Sequence, residues 1–106
     1  MMDVKEKSHR LPKEFYRGEI SVAFTLCLKG DVQAFIKHEM ISMFTDILTS
    51  TVIKESCIVP VYCFMPNHQH IIITGTCIDS NIWKAIVSYK QKTGFWMSVN
   101  KPEIEW

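Results

Sequence analysis

The sequence predicts an α+β fold, a ferredoxin-like split βαβ sandwich in which two helices cover one face of an antiparallel sheet. Hydrophobic residues alternate over 20–28, as in a strand that is buried on one face. They recur every three or four residues over 37–54 and 81–99, which is the spacing of amphipathic helices. Two apolar segments, 57–65 and 68–74, are separated by a Pro-Asn pair, which favours a hairpin. The predicted order is therefore β-α-β-β-α, without the last strand of the full fold.

Turn residues bound the three predicted strands. The first strand ends at Lys29-Gly30-Asp31, and its inward face holds five apolar residues: Ile20, Val22, Phe24, Leu26 and Leu28. Pro60 has no N–H group to donate, so the second strand should have it near its start or beside an open edge. Pro66-Asn67 forms the turn, and Gly75 ends the third strand.

Each predicted helix has one apolar stripe. In the first helix it consists of Ile36, Met40, Met43, Phe44, Ile47, Leu48, Thr51 and Val52. In the second it consists of Ile82, Ile86, Tyr89, Thr93, Trp96 and Met97. Ser80 is the expected N-cap of the second helix. Gly94 lies within that helix and costs about 1 kcal/mol relative to alanine, so a kink or fraying is expected there.

Composition favours one domain over residues 1–106, with residues 1–18 as a loose leader. The 47% hydrophobic and 22% charged content excludes disorder and low complexity. The charged N-terminus has no apolar segment behind it, so we expect no signal peptide. No apolar run in the sequence approaches the ~20 residues that span a bilayer. The four cysteines form no close pair, so we expect buried, reduced thiols in a cytoplasmic protein.

His68 and His70 are the residues best suited to chemistry. Side chains alternate along a strand, so both imidazoles point to one face with their Cα atoms ~7 Å apart. Both can therefore reach one cation, and two ligands leave coordination positions open for a substrate. A pair of surface histidines with no metal remains the alternative at this point.

The histidines belong to a segment that resembles a known motif. Phe64-Met65-Pro66-Asn67-His68-Gln69-His70-Ile71-Ile72 resembles the core motif of the HUH-class single-tyrosine transposases, the group that includes the REP-associated tyrosine transposases. Further landmarks of that family are similar to Tyr16-Arg17-Gly18, Phe24-Thr25-Leu26, Ser88-Tyr89-Lys90 and Trp106. The resemblance covers residue 14 to the end. The family motif has a hydrophobic residue between the histidines, whereas this chain has the polar Gln69.

The resemblance implies a DNA transposase that cleaves and rejoins single-stranded DNA, with hairpin ends as the expected substrate. His68 and His70 would hold a divalent metal, Mg²⁺ or Mn²⁺, that polarises the scissile phosphate. A tyrosine would attack the phosphorus and form a 5′-phosphotyrosine link. The family also implies a homodimer.

The resemblance carries the nucleophilic tyrosine over to no residue of this chain. In the family it follows the tryptophan that Trp106 resembles, on a helix that also supplies a third metal ligand. That catalytic helix is therefore expected to be missing here, and the chain alone should be inactive. Of the tyrosines present, Tyr16 lies in the leader, Tyr62 lies in a strand, and Tyr89 is only a remote fallback.

Three lysines on the last helix, Lys84, Lys90 and Lys92, are candidates for DNA binding, interleaved with Trp83, Tyr89 and Trp96. Residues 79–101 carry four lysines against one aspartate although the whole chain has a net charge of +1. The equal alternative is solvated lysines beside core aromatics. Two other functions remain open: a nucleic-acid-binding relative that does not cleave, and a small metabolite-binding dimer.

Overall fold

The computed structural model of the protein describes residues 12–106, and its architecture confirms the predicted α+β class. The long elements follow the predicted order as β1 (Ser21–Cys27), α1 (His38–Lys54), β2 (Cys57–Met65), β3 (His68–Gly75) and α2 (Ile82–Asn100). Short 3-10 helices occupy Lys13–Tyr16 and Lys29–Asp31. The predicted bounds of the two long helices, 37–54 and 81–99, are correct to within one residue, because the apolar periodicity of both segments is strong.

The sheet is antiparallel, with β3 between β1 and β2. Along β3 the odd-numbered residues Gln69, Ile71 and Ile73 are buried beneath the two helices. The even-numbered residues, which include His68 and His70, therefore lie on the opposite face. We call this second face, which the helices do not cover, the open face of the sheet.

Strand β2 is an edge strand, which is one of the two placements that Pro60 allowed. The register with β3 shifts between Ile58 and Val61, so the proline lies in an irregularity where no ladder hydrogen bond is required of it. Edge position also explains why apolar side chains of this strand, including Tyr62 and Met65, stay exposed. In this strand Cys57 is buried, Val59 and Phe64 are half-buried, and the remaining residues are exposed.

The core lies between the sheet and the helices, and Phe44 of α1 is its fully buried centre. The predicted stripe of α1 is wrong at two positions, because Ile36 is 66% exposed and Met43 is 41% exposed, whereas Phe35, outside the predicted stripe, is 3% exposed. The helix begins only at His38, so helical periodicity does not apply to residue 36. The ring of Phe35 packs edge-on against Phe44 at 5.5 Å.

The start of α2 corrects the predicted cap. Asn81, not Ser80, is the N-cap, and its Oδ1 accepts a hydrogen bond from the backbone N–H of Lys84 at 3.0 Å. The Ser80 hydroxyl is buried and instead accepts hydrogen bonds from the N–H groups of Thr76 and Cys77. It thereby closes the loop that precedes the helix.

Two glycines have different structural roles. The helix continues through Gly94 to Asn100, so the expected kink is absent from α2. A side chain at Gly94 would meet Trp106 at an ordinary contact distance of 3.9 Å. A Cβ at Gly75 would instead collide with the backbone oxygen of Gly18, so this crossing of the two segments requires a glycine.

The predicted leader differs from the structure at its end. Tyr16 is only 6% exposed, and its ring lies 5.2 Å from Trp83 and 6.3 Å from Phe24. The N–H of Gly18 donates to the carbonyl of Ser80. Tyr16 and Gly18 are therefore part of the packed structure, while residues 1–11 of the predicted leader lie outside the described residues.

All four cysteines are free thiols, but the expectation that they are buried holds only for Cys57. Cys63 is exposed, because it is on the edge strand β2 opposite His70 and shares the open face with it. Within residues 12–106, neither helix is both long and apolar enough to cross a membrane.

Candidate metal-binding site

His68 and His70 lie at the beginning of β3, directly after a fixed turn. The carbonyl oxygen of Pro66 accepts hydrogen bonds from the N–H groups of Ala34 and Phe35 at 2.8 and 2.9 Å. The carbonyl of Asn67 accepts from Leu28 at 3.0 Å. These three bonds hold the turn against the segments on either side of it, so the first residues of β3 start from a defined position.

The two imidazoles converge on one point of the open face. Their Nε2 atoms are 3.1 Å apart, and the rings are nearly perpendicular at 86°. Two nitrogen ligands, each about 2.1 Å from one cation, are separated by about 3.0 Å at a right angle and about 3.4 Å at a tetrahedral angle. The pair therefore has the separation that two ligands of a single metal ion require.

Each imidazole has a partner on its other nitrogen. His68 Nδ1 lies 2.6 Å from Asn67 Oδ1, and His70 Nδ1 lies 3.1 Å from Thr25 Oγ1. Partners of this kind orient the rings of histidine ligands and select which nitrogen carries the proton. Thr25 is on β1, opposite His70 in the register. The sequence indicates it only within the landmark Phe24-Thr25-Leu26 and gives it no role beside the histidines.

The rest of this part of the open face is rich in sulfur. Cys27 and Met65 flank His68 on the neighbouring strands, and Cys63 is opposite His70. The described residues nevertheless hold no group of three or more histidine, cysteine, aspartate or glutamate side chains arranged to bind a metal ion. Within them, the histidine pair offers two ligands, and the other coordination positions are left to a substrate, water or a further protein group.

Gln69 points away from the histidines, as its place between them in the strand predicted. It is fully buried on the helix side, where its Oε1 accepts a 2.6 Å hydrogen bond from the hydroxyl of Tyr89. Burial raises the pKa of the Tyr89 phenol well above its ordinary value, and the bond to Gln69 only partly opposes this. Tyr89 is thus a neutral core residue on the far side of the sheet from the two histidines.

The other two tyrosines are not beside the histidines either. Tyr16 is buried against Phe24 and Trp83. Tyr62 is 47% exposed but pairs with the inward-facing Ile71, so its side chain leaves β2 on the helix side. None of the three tyrosines of the chain shares the open face with the imidazoles.

The three candidate lysines occupy different environments. Lys84 is exposed and lies 3.8 Å from Glu55, near the Gly75 end of β3 and about 24 Å along that strand from His68. Lys92 is exposed on α2. Lys90 is only 6% exposed, and its Nζ lies 5.8 Å from the ring centroid of Trp106. The structure does not bring these lysines together.

Trp106 is held against α2 and the aromatic core. Its Nε1–H donates to Thr93 Oγ1 at 2.8 Å, and its ring lies 5.7 Å from Phe35 and 6.0 Å from Phe44. A cavity of about 760 Å³ opens beside it, lined by Lys29, Val87, Lys90, Gln91, Gly94, Ser98, Pro102, Ile104, Glu105 and Trp106. The other two tryptophans of the chain are also packed, since Trp83 contacts Tyr16 and Trp96 contacts Phe44.

Two solved structures are similar to this chain. A protein from Deinococcus radiodurans R1, provisionally described as a transposase, matches with a TM-score of 0.65 and 16% identity, over 80% of this chain and 64% of its own. A REP-associated tyrosine transposase bound to a REP hairpin matches with a TM-score of 0.69 and 14% identity, over 92% of this chain and 59% of its own. The chain thus spans about three fifths of the length of both proteins. At these identities the likeness shows a shared fold. No family model matches the chain, and no curated protein matches it.

Proposed function

We propose that this chain is a transposase-like DNA-processing domain in which His68 and His70 hold a divalent cation, Mg²⁺ or Mn²⁺, for a single-stranded DNA substrate. The observation that carries the proposal is the 3.1 Å separation of the two Nε2 atoms on the open face. The fold shared with two structures described as transposases supports it. So does the motif around the pair, which resembles that of the HUH-class single-tyrosine transposases.

The donor set suits such a role. Neutral imidazoles are good ligands for Mn²⁺ and accept Mg²⁺ when phosphate oxygens complete the coordination shell. When bound, the cation would polarise the scissile phosphate and neutralise its charge. Two protein ligands leave several positions for phosphate oxygens, and the open face around His70 is accessible to a nucleic acid chain.

The proposed reaction is transesterification. A tyrosine hydroxyl loses its proton and attacks phosphorus, the Oη–P bond forms, and the bond to the 3′ oxygen breaks and that oxygen takes up a proton. We assign this nucleophile to none of Tyr16, Tyr62 or Tyr89, because all three lie on the helix side of the sheet. The family places it after the counterpart of Trp106. For this chain acting alone, we propose DNA binding without cleavage.

The second candidate is a relative that binds single-stranded nucleic acid and never cleaves it. The observation in its favour is that no tyrosine of this chain lies beside the histidines. Whether or not the protein cleaves DNA, the exposed Lys84 and Lys92 are the proposed contacts to the phosphates of the nucleic acid. The buried Lys90 is proposed to act through Trp106, with which it packs. A homodimer is proposed as well and is testable by sedimentation.

The metal proposal is tested by titrating the protein with Mn²⁺ in the presence of a single-stranded hairpin oligonucleotide. His68→Ala and His70→Ala should each abolish metal-dependent DNA binding. His38→Ala is the matched control, because His38 is exposed at the start of α1 and outside the site. Mn²⁺ and DNA affinities that are unchanged in both site variants would contradict the proposal.

Cleavage is tested separately, by incubating the full-length gene product with a DNA hairpin and Mn²⁺ and looking for a covalent protein–DNA adduct on a denaturing gel. An adduct that requires both His68 and His70 supports the transposase. Metal-dependent binding without an adduct supports the relative that does not cleave.

A further inference from the structure

The structure assigns Thr25 and Asn67 as positioning residues of the histidine pair: they form a one-directional hydrogen-bond chain that fixes which imidazole nitrogens carry protons. This inference rests on the proposed metal-binding function of His68 and His70. Thr25 lies on a different strand from the histidines, and the roles of Thr25 and Asn67 can be measured without any DNA cleavage.

The direction of the chain follows from the donors and acceptors. Asn67 Oδ1 can only accept, so His68 Nδ1, 2.6 Å away, carries a proton and donates. In a neutral imidazole, His68 Nε2 is then unprotonated and can only accept. Its neighbour at 3.1 Å, His70 Nε2, must therefore donate. That leaves His70 Nδ1 unprotonated, and it accepts from the Thr25 hydroxyl at 3.1 Å.

In this arrangement, protons point from Thr25 through His70 and His68 to Asn67. His68 is already in the tautomer that a metal ligand requires, since its Nε2 carries no proton and Asn67 holds its proton on Nδ1. His70 is in the opposite tautomer, because its Nε2, the nitrogen that would bind a cation, carries the proton.

Metal binding requires His70 to move its proton from Nε2 to Nδ1. No proton is gained or lost overall, but Thr25 must change from donor to acceptor. A hydroxyl can both donate and accept a hydrogen bond, whereas valine, which has nearly the same shape, can do neither. Thr25 is therefore the residue that permits both states of His70, and loss of such a partner typically weakens metal binding 10- to 100-fold.

The first test uses the metal-free protein in mildly alkaline buffer and two-bond ¹H–¹⁵N NMR correlations of the imidazoles. The expected result is His68 as the Nδ1–H form and His70 as the Nε2–H form. Asn67→Ala should remove the preference of His68 for Nδ1–H and, through the chain, that of His70. The opposite tautomers in the wild type would overturn the inference.

The second test measures Mn²⁺ affinity calorimetrically. Thr25→Val should weaken it about 10- to 100-fold, and Thr25→Ser should restore it. Thr74→Val is the matched control, because Thr74 also lies on the open face and its hydroxyl bonds Ser21 Oγ at 2.7 Å, far from the histidines. Valine is favoured in strands, so all these variants should fold.

The outcomes separate the two proposals. If His68→Ala abolishes Mn²⁺ binding while Thr25→Val binds like the wild type, the metal site stands and the role of Thr25 is refuted. If the wild-type protein binds no Mn²⁺, with or without a DNA hairpin, the metal function fails and the positioning role fails with it.

Discussion

The hydrogen bond between Tyr89 of α2 and Gln69 of β3 gives the most direct test of how the helix layer stabilises β3, the strand that contains His68 and His70. The two side chains are fully buried, and the bond measures 2.6 Å. Gln69 Nε2 already has no hydrogen-bond partner. Tyr89→Phe would leave the whole carboxamide of Gln69 unsatisfied inside the core, which should cost about 1 to 3 kcal/mol of the free energy of unfolding.

The assay is urea unfolding followed by tryptophan fluorescence. Tyr89→Phe should lower the midpoint without changing the slope with denaturant. Tyr62→Phe is the control, since Tyr62 is half-exposed and its substitution should stay within about 0.5 kcal/mol of the wild type. Gln69→Leu should cost a similar 1 to 3 kcal/mol, because it leaves the Tyr89 hydroxyl without a partner.

The double variant tests whether an unsatisfied buried polar group causes the loss of stability in each single variant. With both polar groups removed, neither leaves an unsatisfied partner, so Gln69→Leu/Tyr89→Phe should cost about 1 to 3 kcal/mol less than the sum of the single variants. A double variant whose cost equals that sum, or a Tyr89→Phe variant as stable as the wild type, would refute the reasoning.

The same residue predicts a pH effect. Burial raises the pKa of Tyr89, so above pH ~10 the unfolded chain loses this proton while the folded chain keeps it. The unfolded state then binds fewer protons, and stability should fall with rising pH, by up to about 1.4 kcal/mol per pH unit. Tyr89→Phe should lack this part of the alkaline slope. Identical slopes in the two proteins would contradict it.

Two further predictions concern the glycines and the thiols. Gly75→Ala should destabilise the fold by at least about 2 kcal/mol, because the new Cβ collides with the backbone oxygen of Gly18. Gly94→Ala should stabilise it by about 0.5 to 1 kcal/mol, because the new Cβ lies inside a helix at an ordinary contact distance. Equal effects of the two substitutions in thermal unfolding would contradict this. Cys77 should react with iodoacetamide at least about tenfold faster than Cys57, because a hydrogen bond with Ser80 lowers the pKa of Cys77 while burial raises that of Cys57. Peptide mass spectrometry measures both rates, and the reverse order would contradict the prediction.

Local periodicity was sufficient for most of the fold. The bounds of β2 and the order of all five long elements follow from the spacing of apolar residues and from turn signals, because both act over a few residues. The same argument placed His68 and His70 on one face and Gln69 on the other, since side chains alternate along any strand. Because Pro60 lacks an N–H group, the sequence limited it to the start of β2 or to an open edge, and the sheet order shows the edge.

Where several polar residues were adjacent, the sequence could not choose between them. Ser80 and Asn81 are both good N-caps, and only the loop that binds the Ser80 hydroxyl leaves the cap to Asn81. Likewise, the sequence does not distinguish Lys90 from the other lysines of the last helix. Its burial beside Trp106 depends on how the final segment packs against α2. The exposure of Cys63 depends on which strand is at the edge of the sheet.

The sequence by itself determined that two histidines follow a tight turn on one face of a strand, because both the turn and the alternation are local. Only the tertiary structure decided that their Nε2 atoms lie 3.1 Å apart, that Thr25 of another strand holds His70, and that the tyrosines lie on the other side of the sheet. These features join residues up to 45 positions apart in the chain. They depend on strand register and layer packing, which no local pattern specifies.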